Sequence, residues 1–249
     1  MINRICFSDI ASSLLDVFLP RRCLVCGETL VLREKYLCVS CLADLPRTFY
    51  AFESRNRMAE RLNVLVQRDL SEGQNPPYSY ASALFYYRAS TGYRNITRSL
   101  KYHGNLSAGR HFAGMLAREM VASGLYADVG AVIPVPLHWT RRWSRGYNQA
   151  EVIGAVLASG LGVPMRTDIL KRRRRTKTQT RLSIEGKAEN VASAFCLKKG
   201  ADLSGFGHIL LVDDVFTTGS TLHACIAVLQ GRVAPETRIS VATLACVGD

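Results

Sequence analysis

The chain has 249 residues, of which 48% are hydrophobic, and carries 32 basic against 20 acidic side chains for a net charge of +12. That apolar share is too high for a disordered chain and leaves room for one large domain, or a medium domain plus a small one. No run of about 18 apolar residues occurs, so no membrane-spanning helix or membrane insertion is expected.

In chain order, the N-terminus is mildly amphipathic, and Asp9 and Asp16 interrupt any signal-peptide core, so a cytoplasmic location is expected. Cys23-Leu-Val-Cys26 and Cys38-Val-Ser-Cys41 follow as two Cys-x-x-Cys knuckles with eleven residues between them. Each knuckle presents two thiolates, and together they complete a tetrahedral, structural Zn²⁺ site. Redox-active dithiols are the competing reading. Arg21, Arg22, Arg33 and Lys35 give this ribbon a basic cast, suited either to nucleic acid or protein binding or to plain packing against the larger domain. Cys6, Cys196, Cys225 and Cys246 read as small buried apolar residues.

Glu53 to Arg68 reads as a charged helix, and Ser71-Glu-Gly-Gln-Asn-Pro-Pro77 as a linker. Ala81–Tyr87 reads as an aromatic-rich strand. Helices are expected at 92–102 and 109–123, a buried strand at 129–134, and a helix at 148–159. A second buried strand at 207–213 leads to a helix at 220–230 and a last strand at 238–246. The expected organisation is a zinc-ribbon region (1–50), a helix and linker (51–80), and an α/β domain with a mostly parallel sheet flanked by helices (81–249). In such sheets ligands sit beyond the carboxyl ends of the strands.

The most informative stretch is Ile209-Leu-Leu-Val-Asp-Asp-Val-Phe-Thr-Thr-Gly-Ser-Thr221. An apolar strand delivers two adjacent carboxylates, then a hydroxyl-rich loop opens a helix. Backbone N–H groups of Thr217, Thr218, Gly219, Ser220 and Thr221, with the helix dipole behind them, suit a phosphate. Asp213 and Asp214 suit ribose hydroxyls, taken directly or through hydrated Mg²⁺. The plain alternative is a capped helix after a strand. The complete string resembles the PRPP-binding motif of type I phosphoribosyltransferases, PRPP being 5-phosphoribosyl-1-pyrophosphate. Ala131-Val-Ile-Pro-Val-Pro-Leu-His138 resembles the pyrophosphate loop of glutamine amidophosphoribosyltransferases. That likeness implies that Val135, Pro136 and Leu137 line the pyrophosphate site with backbone groups, and that a mobile loop between the two motifs closes over PRPP. Lys171 to Lys187 holds that place here. Between Arg166 and Lys187 there are nine basic and two acidic residues, a charge that suits a pyrophosphate lid or a nucleic-acid groove.

Leu100-Lys-Tyr102, Ile133 to His138, Arg145-Gly-Tyr-Asn-Gln149, Gln179 to Leu182, Asn190-Val-Ala-Ser-Ala-Phe195 and the acidic-pair loop together resemble the competence protein F (ComF) or GntX-like family. The N-terminal cysteines fit as well. The resemblance implies a type I phosphoribosyltransferase-like fold, an unsettled reaction, and in some bacteria a link to DNA uptake and natural transformation. Arg145 and Lys101 would reach phosphate, and Asn148 would cap a helix. The family usually carries an Arg a few residues before its Asn-Val string. Ile184-Glu-Gly-Lys-Ala-Glu189 stands here instead, so no role is assigned to that Arg. Trp139 and Trp143 flank Arg141-Arg142, and packing beneath the loop is the favoured reading over base stacking.

Two functions follow from these residues. The first is a Mg-dependent phosphoribosyltransferase with Asp213 and Asp214 at its centre and an unidentified acceptor. The second is a non-catalytic module that binds single-stranded DNA or a helicase partner through the zinc ribbon and the basic loop.

Overall fold

The computed structural model describes residues 20–70, 74–173 and 194–248. The basic stretch beyond Arg173, the Gln179–Leu182 string, the start of the Asn-Val string and Cys6 lie outside the described residues.

The described helices are α1 (Val39–Ala43), α2 (Arg57–Arg68), α3 (Arg94–Tyr102), α4 (Leu106–Ser123), α5 (Trp139–Arg145), α6 (Gln149–Leu161) and α7 (Ser220–Gln230). The strands are β1 (Ala81–Tyr87), β2 (Ala131–Pro134), β3 (Leu170–Arg172), β4 (Phe195–Leu197), β5 (His208–Phe216) and β6 (Arg238–Val247). The main sheet runs β1-β6-β5-β2 with every pair parallel, and β3 and β4 form a separate antiparallel pair.

A parallel sheet needs cover on both faces, which is why its strands are near-continuous apolar runs. Alternate residues of β5 go to opposite layers. Leu210 and Val212 pack with Ile96, Leu100, Phe112, Leu116, Ile153 and Leu157 of α3, α4 and α6. Ile209 and Leu211 pack with Met58, Leu62 and Val66 of α2 and with Leu222, Ile226 and Leu229 of α7. Each such fully buried aliphatic side chain contributes about 2 kcal/mol. The charged 53–68 stretch therefore forms a helix that covers one face of the sheet. Asn56 starts it, accepting from the Ala59 amide at 2.9 Å while its Nδ2 donates to the Ala81 carbonyl of β1 at 2.8 Å.

The ribbon joins the other layer. Cys23, Leu30, Leu37 and Leu45 are buried in one cluster with Phe112 and Leu116, and the Tyr36 ring meets that of Phe112 at 6.3 Å. The Tyr93 hydroxyl donates to the Cys41 carbonyl at 2.9 Å. Residues 46–48 then run beside β1: Tyr86 N–H donates to Pro46 O and Thr48 N–H to Leu84 O. Gly92 allows the contact, because a Cβ there would lie 2.3 Å from the Val25 carbonyl oxygen. No described helix is long and apolar enough to cross a membrane.

Candidate functional site: a charged cleft at the carboxyl ends of the strands

β2 ends at Pro134, paired with Val212 of β5, and a cleft of about 560 Å³ opens beyond that point. The anticipated residues Lys101, Val135, Pro136, Leu137, Arg145, Asp213, Asp214, Thr217 and Thr221 all line it. Thr218, Gly219 and Ser220 do not line it but build the turn that opens α7. A larger open depression of about 990 Å³ lies beside Gly207 and Thr237, at the amino ends of β5 and β6. It lacks the acid pair and the helix start, and ligands of parallel sheets bind at the opposite ends of the strands.

The two acids stand within β5 rather than after it, since the strand continues to Phe216. Strand alternation sends them to opposite layers. Asp214 is buried on the α3 side, where its Oδ2 lies 2.9 Å from Lys101 Nζ. That pairing holds the lysine above its ordinary pKa despite burial, which acts in the other direction. Asp213 Oδ1 accepts the Asp214 amide at 2.8 Å. Burial, and then the adjacent Asp214 charge, push the Asp213 carboxyl up to about 7. Among the described residues the acid without an ion-pair partner is thus the one whose carboxyl is raised toward neutral pH.

The loop turns on Gly219, whose φ of 82° lies in the left-handed region. A Cβ there would come within 2.8 Å of the Phe216 ring. The Thr218 and Ser220 hydroxyls are 2.9 Å apart, and Arg61 of α2 donates to the Thr217 carbonyl at 3.3 Å. On the facing wall, Val135 N–H is spent on Val212 O at 2.8 Å, and Val135 O accepts from Asn148 Nδ2 at 3.0 Å. Proline has no N–H, so of the Val135-Pro136-Leu137 segment only the Leu137 amide can turn to a ligand. Asn148 also caps α6, its side chain accepting from the Ala150 amide. The Arg145 guanidinium lies over the Tyr102 ring at 5.1 Å, on the cleft rim.

Several lining residues carried no assigned role in the sequence reading. Arg94, Thr97 and Arg98 share the Lys101 side of α3, and Arg141 and Gln149 complete the wall together with Arg172, which belongs to the anticipated basic segment. The spacing Arg94, Arg98, Lys101 is one helix face, a signal available in the sequence. Arg172, half-buried and close to Arg141, is held below its ordinary pKa, by desolvation first. Gln149 is 3% exposed, and its Nε2 has no hydrogen-bond partner among the described residues. Six basic residues and two carboxylates thus face one cleft. Trp139 and Trp143 are 68% and 88% exposed on α5, which corrects the expectation that they pack beneath the loop. Neither side of that short helix meets a buried layer. Cys225 and Cys246 are buried as expected, whereas Cys196 is only half-buried on β4.

The four ribbon sulfurs of Cys23, Cys26, Cys38 and Cys41 lie within 4.8 Å of one another. The Cys38 amide donates to Cys23 Sγ and the Cys41 amide to Cys38 Sγ, both at 3.4 Å. Four convergent thiols with backbone N–H donors suit tetrahedral zinc, and no described His or carboxylate joins the cluster.

Residues 148–248 match the phosphoribosyl transferase domain family, and residues 14–51 match the double zinc ribbon domain family. Competence protein F of Haemophilus influenzae is 41% identical over 100 residues, which are 40% of this chain and 44% of that one. DNA utilization protein YhgH of Salmonella typhimurium is 38% identical over 131 residues, 51% of this chain and 56% of that one. The chain thus spans about half the length of these two relatives. Competence protein ComFC of Streptococcus pneumoniae is 26% identical over 235 residues, 87% of this chain and 97% of that one. The chain carries a phosphoribosyl transferase domain behind a double zinc ribbon, and it is similar to proteins named for competence and DNA utilization.

Proposed function

We propose that the cleft binds PRPP, or a closely related sugar phosphate, and supports transfer of its phosphoribosyl group. The observation that carries this reading is the meeting, at the carboxyl ends of β2 and β5, of an acid pair, a hydroxyl-rich helix start and six cations. The Thr217–Thr221 loop holds the 5-phosphate through amides and hydroxyls at the positive end of α7. Asp213 and Asp214 accept hydrogen bonds from the ribose hydroxyls. Lys101, Arg141, Arg145 and Arg172, with the Leu137 amide, face the pyrophosphate. In the transfer, the bond from C1 to the pyrophosphate oxygen breaks and pyrophosphate leaves with the electron pair. A lone pair of the acceptor forms the new bond to C1, and the acceptor's proton passes to solvent. The protein contributes by positioning and by stabilising the charge that develops. Magnesium bound with the substrate supplies charge neutralisation on the phosphates, and the Asp213 and Asp214 carboxylates are the hard oxygen donors beside them.

The test is isothermal titration of the zinc-loaded chain with PRPP and Mg²⁺. Saturable binding is expected, weakened about 100-fold or more in the Asp213→Asn/Asp214→Asn variant. Equal affinity in the two proteins would remove the acid pair from the site.

A second reading has its own observation. Trp139 and Trp143 stand exposed four residues apart on α5, beside Arg141 and Arg145 of the cleft rim. Exposed indoles among arginines suit stacking on the bases of single-stranded DNA, and relatives bear DNA-utilization and competence names. Binding of an oligonucleotide that falls steeply with salt, and is lost in Trp139→Ala/Trp143→Ala, would support it. PRPP binding would be unaffected by that pair of changes.

A further inference from the structure

α3 is a weak helix by its own sequence. It spans only nine residues, with the β-branched Ile96 and Thr97 in its interior. Arg94 and Arg98, four apart, repel each other, and no acidic residue in the first turn offsets Arg94 at the positive end of the helix dipole. No side chain among the described residues caps its start. Yet this helix carries Arg94, Arg98 and Lys101 into the wall of the cleft. Contacts from outside α3 have to fix its place.

Both knuckles of the ribbon touch the residues that open this helix. Gly92 lies against the backbone of Val25, inside the first knuckle, so closely that a Cβ would come within 2.3 Å of the Val25 carbonyl oxygen. Tyr93, which precedes the first turn of α3, donates its hydroxyl to the carbonyl of Cys41 in the second knuckle at 2.9 Å. Ile96 and Leu100 belong to the same buried cluster as Cys23, Leu30 and Leu37. The far end of α3 is held separately. The Tyr147 hydroxyl donates to the Leu100 carbonyl, and Lys101 Nζ lies 2.9 Å from Asp214 Oδ2. One short helix therefore runs from the cysteine knuckles to the acid pair. Closure of the knuckles around a metal fixes the Val25 backbone and the Cys41 carbonyl, and these set where α3 begins.

We infer that the ribbon positions the cleft, with Tyr93 as the positioning residue that ties the second knuckle to the cationic face of α3. The effect on ligand affinity rests on the sugar-phosphate reading of the cleft; the link from ribbon to helix rests on the Gly92 and Tyr93 contacts alone. Coupling of this kind is reciprocal, so a ligand gripped by α3 tightens zinc retention by the factor that zinc tightens the ligand. The test compares the full zinc-loaded chain with Tyr93→Phe, which keeps the ring and removes only the hydroxyl. Hydrogen exchange read by mass spectrometry should show residues 94–102 losing protection at least about fivefold in the variant, with β5 and β6 unchanged. Removal of zinc from the unaltered chain should produce the same local loss. Zinc affinity is then measured by competition with a zinc-selective chelator, with and without PRPP and Mg²⁺. The ligand should tighten zinc at least about fivefold in the unaltered chain and by less in the variant. A hydroxyl of merely structural value would leave that difference at zero. Unchanged protection of 94–102 in either comparison overturns the inference. So does PRPP that binds without shifting zinc affinity, or that shifts it equally in both proteins. Failure of PRPP to bind the unaltered chain would sink the reading of the cleft, and the exchange of 94–102 would then decide the link by itself.

Discussion

The ribbon and the α/β layer hold themselves together by different physics, and the difference bears on where each can fail. In the ribbon, four thiols within 4.8 Å of one another hold a segment that buries only a few leucines. In the α/β domain, two apolar layers grip an all-parallel sheet, and the charged groups of the cleft gather toward its carboxyl end. The first depends on a few ligands and the second on many packed residues. The ribbon therefore has a single point of failure, while the sheet can absorb damage at its edge and lose binding before it loses the fold.

Removal of zinc is the harshest test of that contrast. Chelation, or Cys23→Ser with Cys26→Ser, should abolish amide protection in residues 20–45 while the sheet remains protected, since structural zinc supplies about 10 kcal/mol or more to such sites. Hydrogen exchange read by mass spectrometry distinguishes this from collapse of both regions, which would mean that the cluster shared with Phe112 and Leu116 makes them one cooperative unit.

Within the cleft, Lys101→Ala leaves Asp214 buried without its cation. A loss of about 3 kcal/mol is expected, seen as a Tm lower by roughly 5–10 °C. A smaller drop would place the pair in solvent.

Gly92→Ala addresses the seam between the regions. Its Cβ would meet backbone of Val25, which cannot rotate away. About 2 kcal/mol of stability should go, with protection lost in the ribbon first.

Gln149→Leu removes a buried Nε2 that has no partner among the described residues. PRPP affinity should fall about tenfold while Tm holds or rises, because an unsatisfied buried donor costs stability. A lower Tm with unchanged affinity would make Gln149 a structural residue.

The mildest test is pH. Between the ordinary 3.8 and about 7 the folded chain keeps a proton on Asp213 that the unfolded chain has lost. Stability attributable to this group is therefore present at low pH, falls as pH rises through that window, and is gone above it. Asp213→Asn should raise Tm by a few degrees at pH 8 and leave it nearly unchanged at pH 4. Asp214, Lys101 and Arg172 are the charges that act on Asp213, with the Cys225 thiol beside it. The same increment at both pH values would mean that this carboxyl is well solvated.

Most elements were legible because their residues repeat with the period of the structure they form. The four apolar residues before Asp213 read as a buried strand, and Phe112, Met115, Leu116 and Met120 as a helix face. α5 escaped this reading because Trp-Thr-Arg-Arg-Trp-Ser-Arg has no apolar stripe facing a core. β3 and β4 escaped because three-residue strands leave no alternation to detect.

The sequence by itself determined the knuckle spacing, the acid pair on its strand, the hydroxyl-rich loop that opens α7 and the alternation of strands with helices. These are local, set by residues a few positions apart along one backbone. Only the tertiary structure decided that β6 enters between β1 and β5, that Lys101 closes on Asp214 across 113 positions of chain, and that Val135 has no amide to spare. It also brought Arg57 and Arg61 of α2 near Arg88, which follows β1. The reason is physical: a strand order and a long-range ion pair depend on which apolar faces can be covered at once, and that is a property of the whole packing.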